Sequence, residues 1–278
     1  MSAPTFRTSV PQQSGGGGYG YAGPAQGRPP YAAGPAGAGP EQQRRRLRPA
    51  FGLLGPRRDR HVLPSEQLAA LSLPVGDDGV VIGVDTHNQP AVLGLSRPTR
   101  LDVLLVGGMW LAQVVALRAA ATGARVAVET GRPQAWTPMA QAAGGGQQCV
   151  TVHQVGRVSP QGPSVASPVL IVRDCGIRPP RGRVASAPWQ SVLTLLPYLG
   201  PTAPRLLSNA DLVGVQRVSP QEAEVIGRIM GLPRAEVSAL STLGDNVTLW
   251  CTRKHRQFVM TQPTDAETGL LGAARRVD

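Results

Sequence analysis

The stretch Leu101 to Pro133, LDVLLVGGMWLAQVVALRAAATGARVAVETGRP, constrains the fold more than any other part of the chain. Leu101 to Val106 is a short apolar run of the kind that forms a parallel strand covered on both faces. Gly107 and Gly108 turn the chain. Met109 to Thr122 then reads as a helix in whose body only Gln113, Arg118 and Thr122 are polar, so most of its surface must be covered by protein. Gly123 stands where a left-handed cap ends a helix. Ala124 to Glu129 reads as the next strand, closed by Gly131 and Pro133. Strand, glycine turn, buried helix and strand predict an α/β fold, a three-layer sandwich with a largely parallel sheet, P-loop-like or Rossmann-like. A parallel pair joined by this crossover helix is expected to be right-handed.

Two ligand chemistries compete for this unit. A P-loop needs G-x-x-x-x-G-K-[ST], in which backbone N–H groups cradle phosphate, the Lys neutralises it and the hydroxyl holds magnesium. Aligned on Gly107, the second glycine is Ala112, the lysine Gln113 and the hydroxyl Val114. Without that cation and metal ligand, phosphoryl transfer loses its main charge stabilisation, so no ATPase activity, cofactor or metal is expected here. A dinucleotide site wants G-x-G-x-x-G, which neither Gly107 nor Gly108 begins. For it speaks Glu129, which ends the second strand roughly 20 residues after the glycines, where an acid would bind a ribose. Gly107, Gly108 and Glu129 are therefore the candidate ligand residues. The alternative is that Glu129 is an ordinary strand-end carboxylate beside Arg132.

Charge divides the chain. Residues 1–60 hold nine arginines against Glu41 and Asp59, so +7 of the net +11 lies there. Lys254 is the only lysine, a bias of the sort a GC-rich genome produces. The segment GGGGYGYAGPAQGRPPYAAGPAGAGP buries too little apolar surface to offset its chain entropy. Residues 1–60 are accordingly expected to be a disordered, Gly/Pro-rich basic tail, and 61–278 a single α/β domain. Arg44, Arg45, Arg46 and Arg48 head a basic cluster that could touch nucleic acid, anionic lipid or an acidic partner; the alternative is a solubilising linker. Cys149, Cys175 and Cys251 are too few and dispersed for a disulfide framework or a zinc site. His61, His87, His153 and His255 show no metal spacing. No signal peptide is visible, and the longest apolar run, Met109 to Ala121, is too short to span a bilayer. A cytoplasmic location follows as the expectation.

The rest of the chain supplies further elements. Ser65 to Leu71 reads as a short helix. Gly79 to Asp85 and Pro90 to Leu95 form a hairpin through His87, Asn88 and Gln89. Trp136 to Ala143 reads as a helix, and Val150 to Val155, Pro168 to Arg173, Val192 to Leu196 and Ala210 to Val215 as strands. Asp174 ends its strand as a Walker B acid would. Ser219-Pro220-Gln221-Glu222 is a capping box opening a helix that Gly231 stops. A short helix follows Pro233. Val247 to Cys251 and Gln257 to Thr261 close a second hairpin, and Thr264 to Glu267 caps a terminal helix.

Two regions resemble the FtsK-type translocase ATPases, including conjugative coupling proteins and the ATPases of type VII secretion. VIGVDTHNQPAVLGL, leading into LLVGG, is similar to their hairpin G-x-D-x-x-x-x-P-x-x-L before the P-loop strand. SNADLVGVQRVSPQEAEVIGRIMGLP, then QFVMTQPT, is similar to their late segment, a strand ending in Gln-Arg and a following helix. The resemblance spans roughly 80 to 270. Its departures, Gln113 and Val114, fall on the chemistry. It implies a retained scaffold without catalysis, with a membrane secretion or translocase ATPase as the partner.

Overall fold

The computed structural model describes residues 79–144, 148–177, 179 and 184–276. Its elements run β1 (Val80–Asp85), β2 (Pro90–Leu93), β3 (Leu101–Val106), α1 (Met109–Ala121), β4 (Arg125–Thr130), α2 (Pro133–Ala142), β5 (Val150–Gln154) and β6 (Val169–Asp174). There follow β7 (Gln190–Leu196), α3 (Ala203–Asn209), β8 (Leu212–Val215), α4 (Pro220–Met230), α5 (Arg234–Leu240), β9 (Val247–Cys251), β10 (Arg256–Met260) and α6 (Asp265–Leu271). The strands form one ten-stranded sheet in the order β2-β1-β10-β9-β8-β3-β7-β6-β4-β5. From β8 to β5 every pairing is parallel; from β8 outward through β9, β10, β1 and β2 every pairing is antiparallel.

The α/β sandwich expected from the sequence is present. One face of the sheet packs with α1, α2 and α6, around Trp110, Trp136 and Leu271. The other carries α3, α4 and α5, with Leu207, Ile226 and Leu240 at its centre. The helix start at Pro133, ahead of the expected Trp136, follows from proline's fixed φ at a first helical position. Helix α3 was not legible in the sequence. It spans only seven residues, too few for periodicity to separate it from the prolines around it. The helix expected at Ser65 to Leu71, the domain start near His61 and the tail arginines Arg44, Arg45, Arg46 and Arg48 lie outside the described residues.

Strands β3 and β4 are parallel members of one sheet but not neighbours, because β7 and β6 stand between them. The chain enters β3 through the β1–β2 hairpin. There the Asp85 carboxylate accepts the N–H groups of His87 and Gln89, each at 2.8 Å, and Asn88 takes the left-handed conformation its turn demands (φ 59°). The aspartate of the G-x-D motif thus builds a turn.

Helix α1 is the hub. Leu111, Val114 and Val115 are almost wholly buried, each contributing on the order of 2 kcal/mol. Its polar residues all have partners. Gln113 Nε2 donates to the Ala135 carbonyl of α2 at 2.8 Å. Thr122 Oγ1 donates to the Ala119 carbonyl. Arg118 makes two bonds to Glu267 of α6, at 2.7 and 2.8 Å, and others to the carbonyls of Val81 and Gln262. One guanidinium therefore ties α1 to β1 and to the terminal helix. Arg118→Ala leaves the buried Glu267 carboxylate unpaired, and urea denaturation is expected to show a loss of about 3 kcal/mol. Arg118→Lys should restore only part of it, because an ammonium cannot reproduce the two-pronged fork.

Candidate functional site

In a sheet of this kind ligands gather beyond the carboxyl ends of the strands, where strand order reverses. Here that place is the β3–α1 turn, between β7 on one side and β8 on the other. Gly107 and Gly108 form the whole turn, since α1 begins at Met109. Both glycines are buried. The Gly107 N–H donates to the Leu196 carbonyl of β7 at 2.9 Å. The Gly108 N–H donates to Gln216 Oε1 at 2.7 Å.

Gln216 follows β8 directly and is fully buried. Its backbone N–H continues the ladder to the Val106 carbonyl, and its Nε2 donates to the Asp245 carbonyl at 3.1 Å. A helix N-terminus presents unsatisfied N–H groups and positive potential. Helix α1 has no acid in its first turn; a neutral carboxamide oxygen meets it instead. The approach explains both glycines. A Cβ on Gly107 would stand 2.4 Å from Gln216 Oε1, and one on Gly108 only 2.6 Å from the Arg276 carbonyl oxygen.

The segment after α6 covers this turn. Trp110 Nε1 donates to the Gly272 carbonyl. The Arg276 guanidinium donates to the carbonyls of Arg217 and Pro197, each at 2.7 Å, which clamps the segment between β7 and β8. Arg276 also lines a cleft of about 630 Å³ with Tyr198, Arg217, Ser219 and Glu222. Burial would raise the Glu222 pKa, but the N–H groups of Leu199 and Ser219 outweigh it and hold the carboxyl below its usual range.

The other acids flagged in the sequence are also engaged. Asp174, at the end of β6, accepts from Thr130 Oγ1 (3.0 Å), Arg132 Nε (2.9 Å) and Trp136 Nε1 (2.8 Å). The candidate Glu129 is not brought together with Gly107 and Gly108, being three strands away, roughly 14 Å at the usual strand spacing. It lies on the sheet face opposite α1, since its alternating neighbours Val126 and Val128 pack in the α1 core. There it accepts from Arg173 Nε at 2.6 Å and from the Gly156 N–H at 2.8 Å. Burial pushes its pKa up, but Arg173 and that N–H more than offset this, and the carboxyl stays below its usual range.

Among the described residues no cluster of three or more His, Cys, Asp or Glu could hold a metal ion, and no helix is long and apolar enough to cross a membrane. Cys149, Cys175 and Cys251 are free thiols. Burial pushes those of Cys175 and Cys251 up to about 12. Sequence reasoning missed Gln216 as a site residue. Its only signal was the Gln-Arg pair after an apolar strand; that the strand lies beside β3 is a matter of tertiary register.

No protein family matches the chain, and no curated protein does. Among solved structures it is similar to VirB4 of Thermoanaerobacter pseudethanolicus, with 9% identity over 68% of this chain and 98% of that one and a TM-score of 0.47. It is also similar to the genome packaging NTPase B204 from Sulfolobus turreted icosahedral virus 2. In complex with AMPPCP that protein gives 12% identity, 60% and 99% coverage and a TM-score of 0.42; in complex with AMP, 12%, 60%, 98% and 0.38.

Two outcomes test this geometry. Gly108→Ala must push the Arg275–Arg276 backbone aside, so hydrogen exchange should quicken across 273–276, with a stability loss of about 1–3 kcal/mol. Unchanged exchange there would contradict the placement of the segment. For Glu129, a depressed folded-state pKa means stability present above the unfolded value of about 4.3 and lost as pH falls below it. Glu129→Gln is therefore expected to flatten the acid limb of a urea-denaturation series run from pH 6 to 3.

Proposed function

We propose that the chain is a non-catalytic, P-loop-like accessory or scaffold module that works beside a secretion or conjugation translocase. The observation that supports this best is the filled β3–α1 turn. A phosphate cradle needs open backbone N–H groups at the helix mouth, a cation beside them and a hydroxyl for magnesium. In this chain the Gly108 N–H is taken by Gln216, and the backbone of Arg275 and Arg276 lies against Gly108. The side chain at the lysine position, Gln113, is spent on Ala135, and Val114 at the hydroxyl position is wholly buried. Asp174, which ends β6 as a Walker B acid would, is already engaged by Thr130, Arg132 and Trp136.

The link to a translocase rests on the sequence resemblance of the β1–β2 hairpin and of the Gln-Arg segment after β8. A dinucleotide site built on Gly107, Gly108 and Glu129 has less support, given the separation of β3 from β4 and the engagement of Glu129. Contact of the basic tail with nucleic acid or an anionic surface is carried by its charge alone.

Purified full-length protein with magnesium and ATP is expected to show no turnover and no calorimetric heat at millimolar nucleotide. Hydrolysis that Gln113→Ala abolishes would overturn the proposal.

A further inference from the structure

We propose that the cavity under α3, where helical cover of this sheet face gives way to irregular connections, is a binding site for a small organic oxyanion, a carboxylate or phosphate monoester on a short apolar body. The site is separate from the β3–α1 turn and rests on no reading of nucleotide chemistry.

The cause lies in the connections. A parallel sheet is ordinarily covered by helices on both faces. Helices α3, α4 and α5 cover β3, β8, β9 and the carboxyl end of β7 at Leu196, whereas over β4, β6 and Val192 of β7 the apolar packing on the same face comes, among the described residues, from the irregular connections at Val158 and Val184. Between α3 and the sheet this leaves a cavity of about 350 Å³, within the range of small-molecule sites, roughly 300–1,000 Å³. Leu104, Val192 and Leu206 give it apolar walls.

Its polar groups favour an anion. Arg173 reaches it from β6 and is 9% exposed. Nε goes to Glu129; among the described residues its two Nη groups have no hydrogen-bond partner. A guanidinium held by Nε presents its remaining edge as a rigid fork, which suits an oxyanion. Arg205, on α3, lines the same cavity and forms no ion pair among the described residues. Thr194 adds a hydroxyl between them. The one carboxylate in the lining, Asp102, is closed by Arg100. Glu129 is neutralised by Arg173 and lines a separate cleft of about 190 Å³. The uncompensated charge facing the cavity is thus positive, and a cation has no open carboxylate to meet.

The probes are phenyl phosphate and benzoate, with benzyl alcohol as the neutral counterpart, each titrated into the full chain and followed by ligand-observed NMR. Saturable binding of at least one anion is expected, with benzyl alcohol at least about tenfold weaker, the worth of one charge-assisted hydrogen bond. Which anion binds more tightly identifies the head group. Arg205 is exposed, so Arg205→Ala should fold normally and weaken binding about tenfold. Arg173→Gln should abolish binding; because it also strands Glu129, the exposed variant carries the decision if this one fails to fold. No saturable binding of either anion, equal affinity for benzyl alcohol, or binding untouched by Arg205→Ala would each overturn the proposal. Phosphate held at the β3–α1 turn would produce the last of these results.

Discussion

A single neutral carboxamide closes the mouth of the central helix. Gln216 satisfies the Gly108 N–H at one end and binds the Asp245 carbonyl at the other, so β3, α1, β8 and the approach to β9 share one buried polar link. Burying an amide this deeply is tolerable only when its hydrogen-bonding groups are matched. The match constrains the neighbours in turn. Gly107 and Gly108 can carry no side chain, because the carboxamide and the backbone of the final segment already occupy the space a Cβ would need. The same contacts that complete the core engage the Gly107 and Gly108 N–H groups.

Elsewhere the core manages charge by arginine. Glu129 with Arg173, Asp174 with Arg132 and Glu267 with Arg118 are three carboxylates buried on the sheet or under a helix, each met by a guanidinium. Such pairs return little net stability relative to apolar packing, but breaking one is costly because a buried charge is left alone. Their effect is therefore positional. Arg118 sets α6 against α1, and Arg132 with Trp136 sets the start of α2 against the end of β6. Arg173 differs in that, among the described residues, only its Nε is bonded, and it lines the cavity under α3.

The local reading of the chain was accurate where the signals are local. The glycine turn, the buried helix α1, the β1–β2 hairpin and the capping boxes at Ser219 and Thr264 all formed as residue chemistry required, since each depends on residues a few positions apart. Helix α3 escaped because seven residues provide less than two periods of pattern and no capping side chain. Gln216 was visible only as part of a Gln-Arg pair, with nothing in its own neighbourhood to say that Gly108 would be its partner 108 positions away.

Taken alone, then, the sequence determined the class of fold, the place of the central strand-turn-helix unit and the absence of a lysine and hydroxyl at its mouth. These follow from hydrophobic periodicity, glycine conformational freedom and side-chain chemistry, which act over a few residues. Tertiary structure alone decided that β7 and β6 separate β4 from β3, that Glu129 turns away from the glycines to Arg173, and that residues 275 and 276 lie over the turn. Strand order and the packing of the final segment are set by which apolar faces bury one another across long stretches of chain. No short-range pattern encodes that choice.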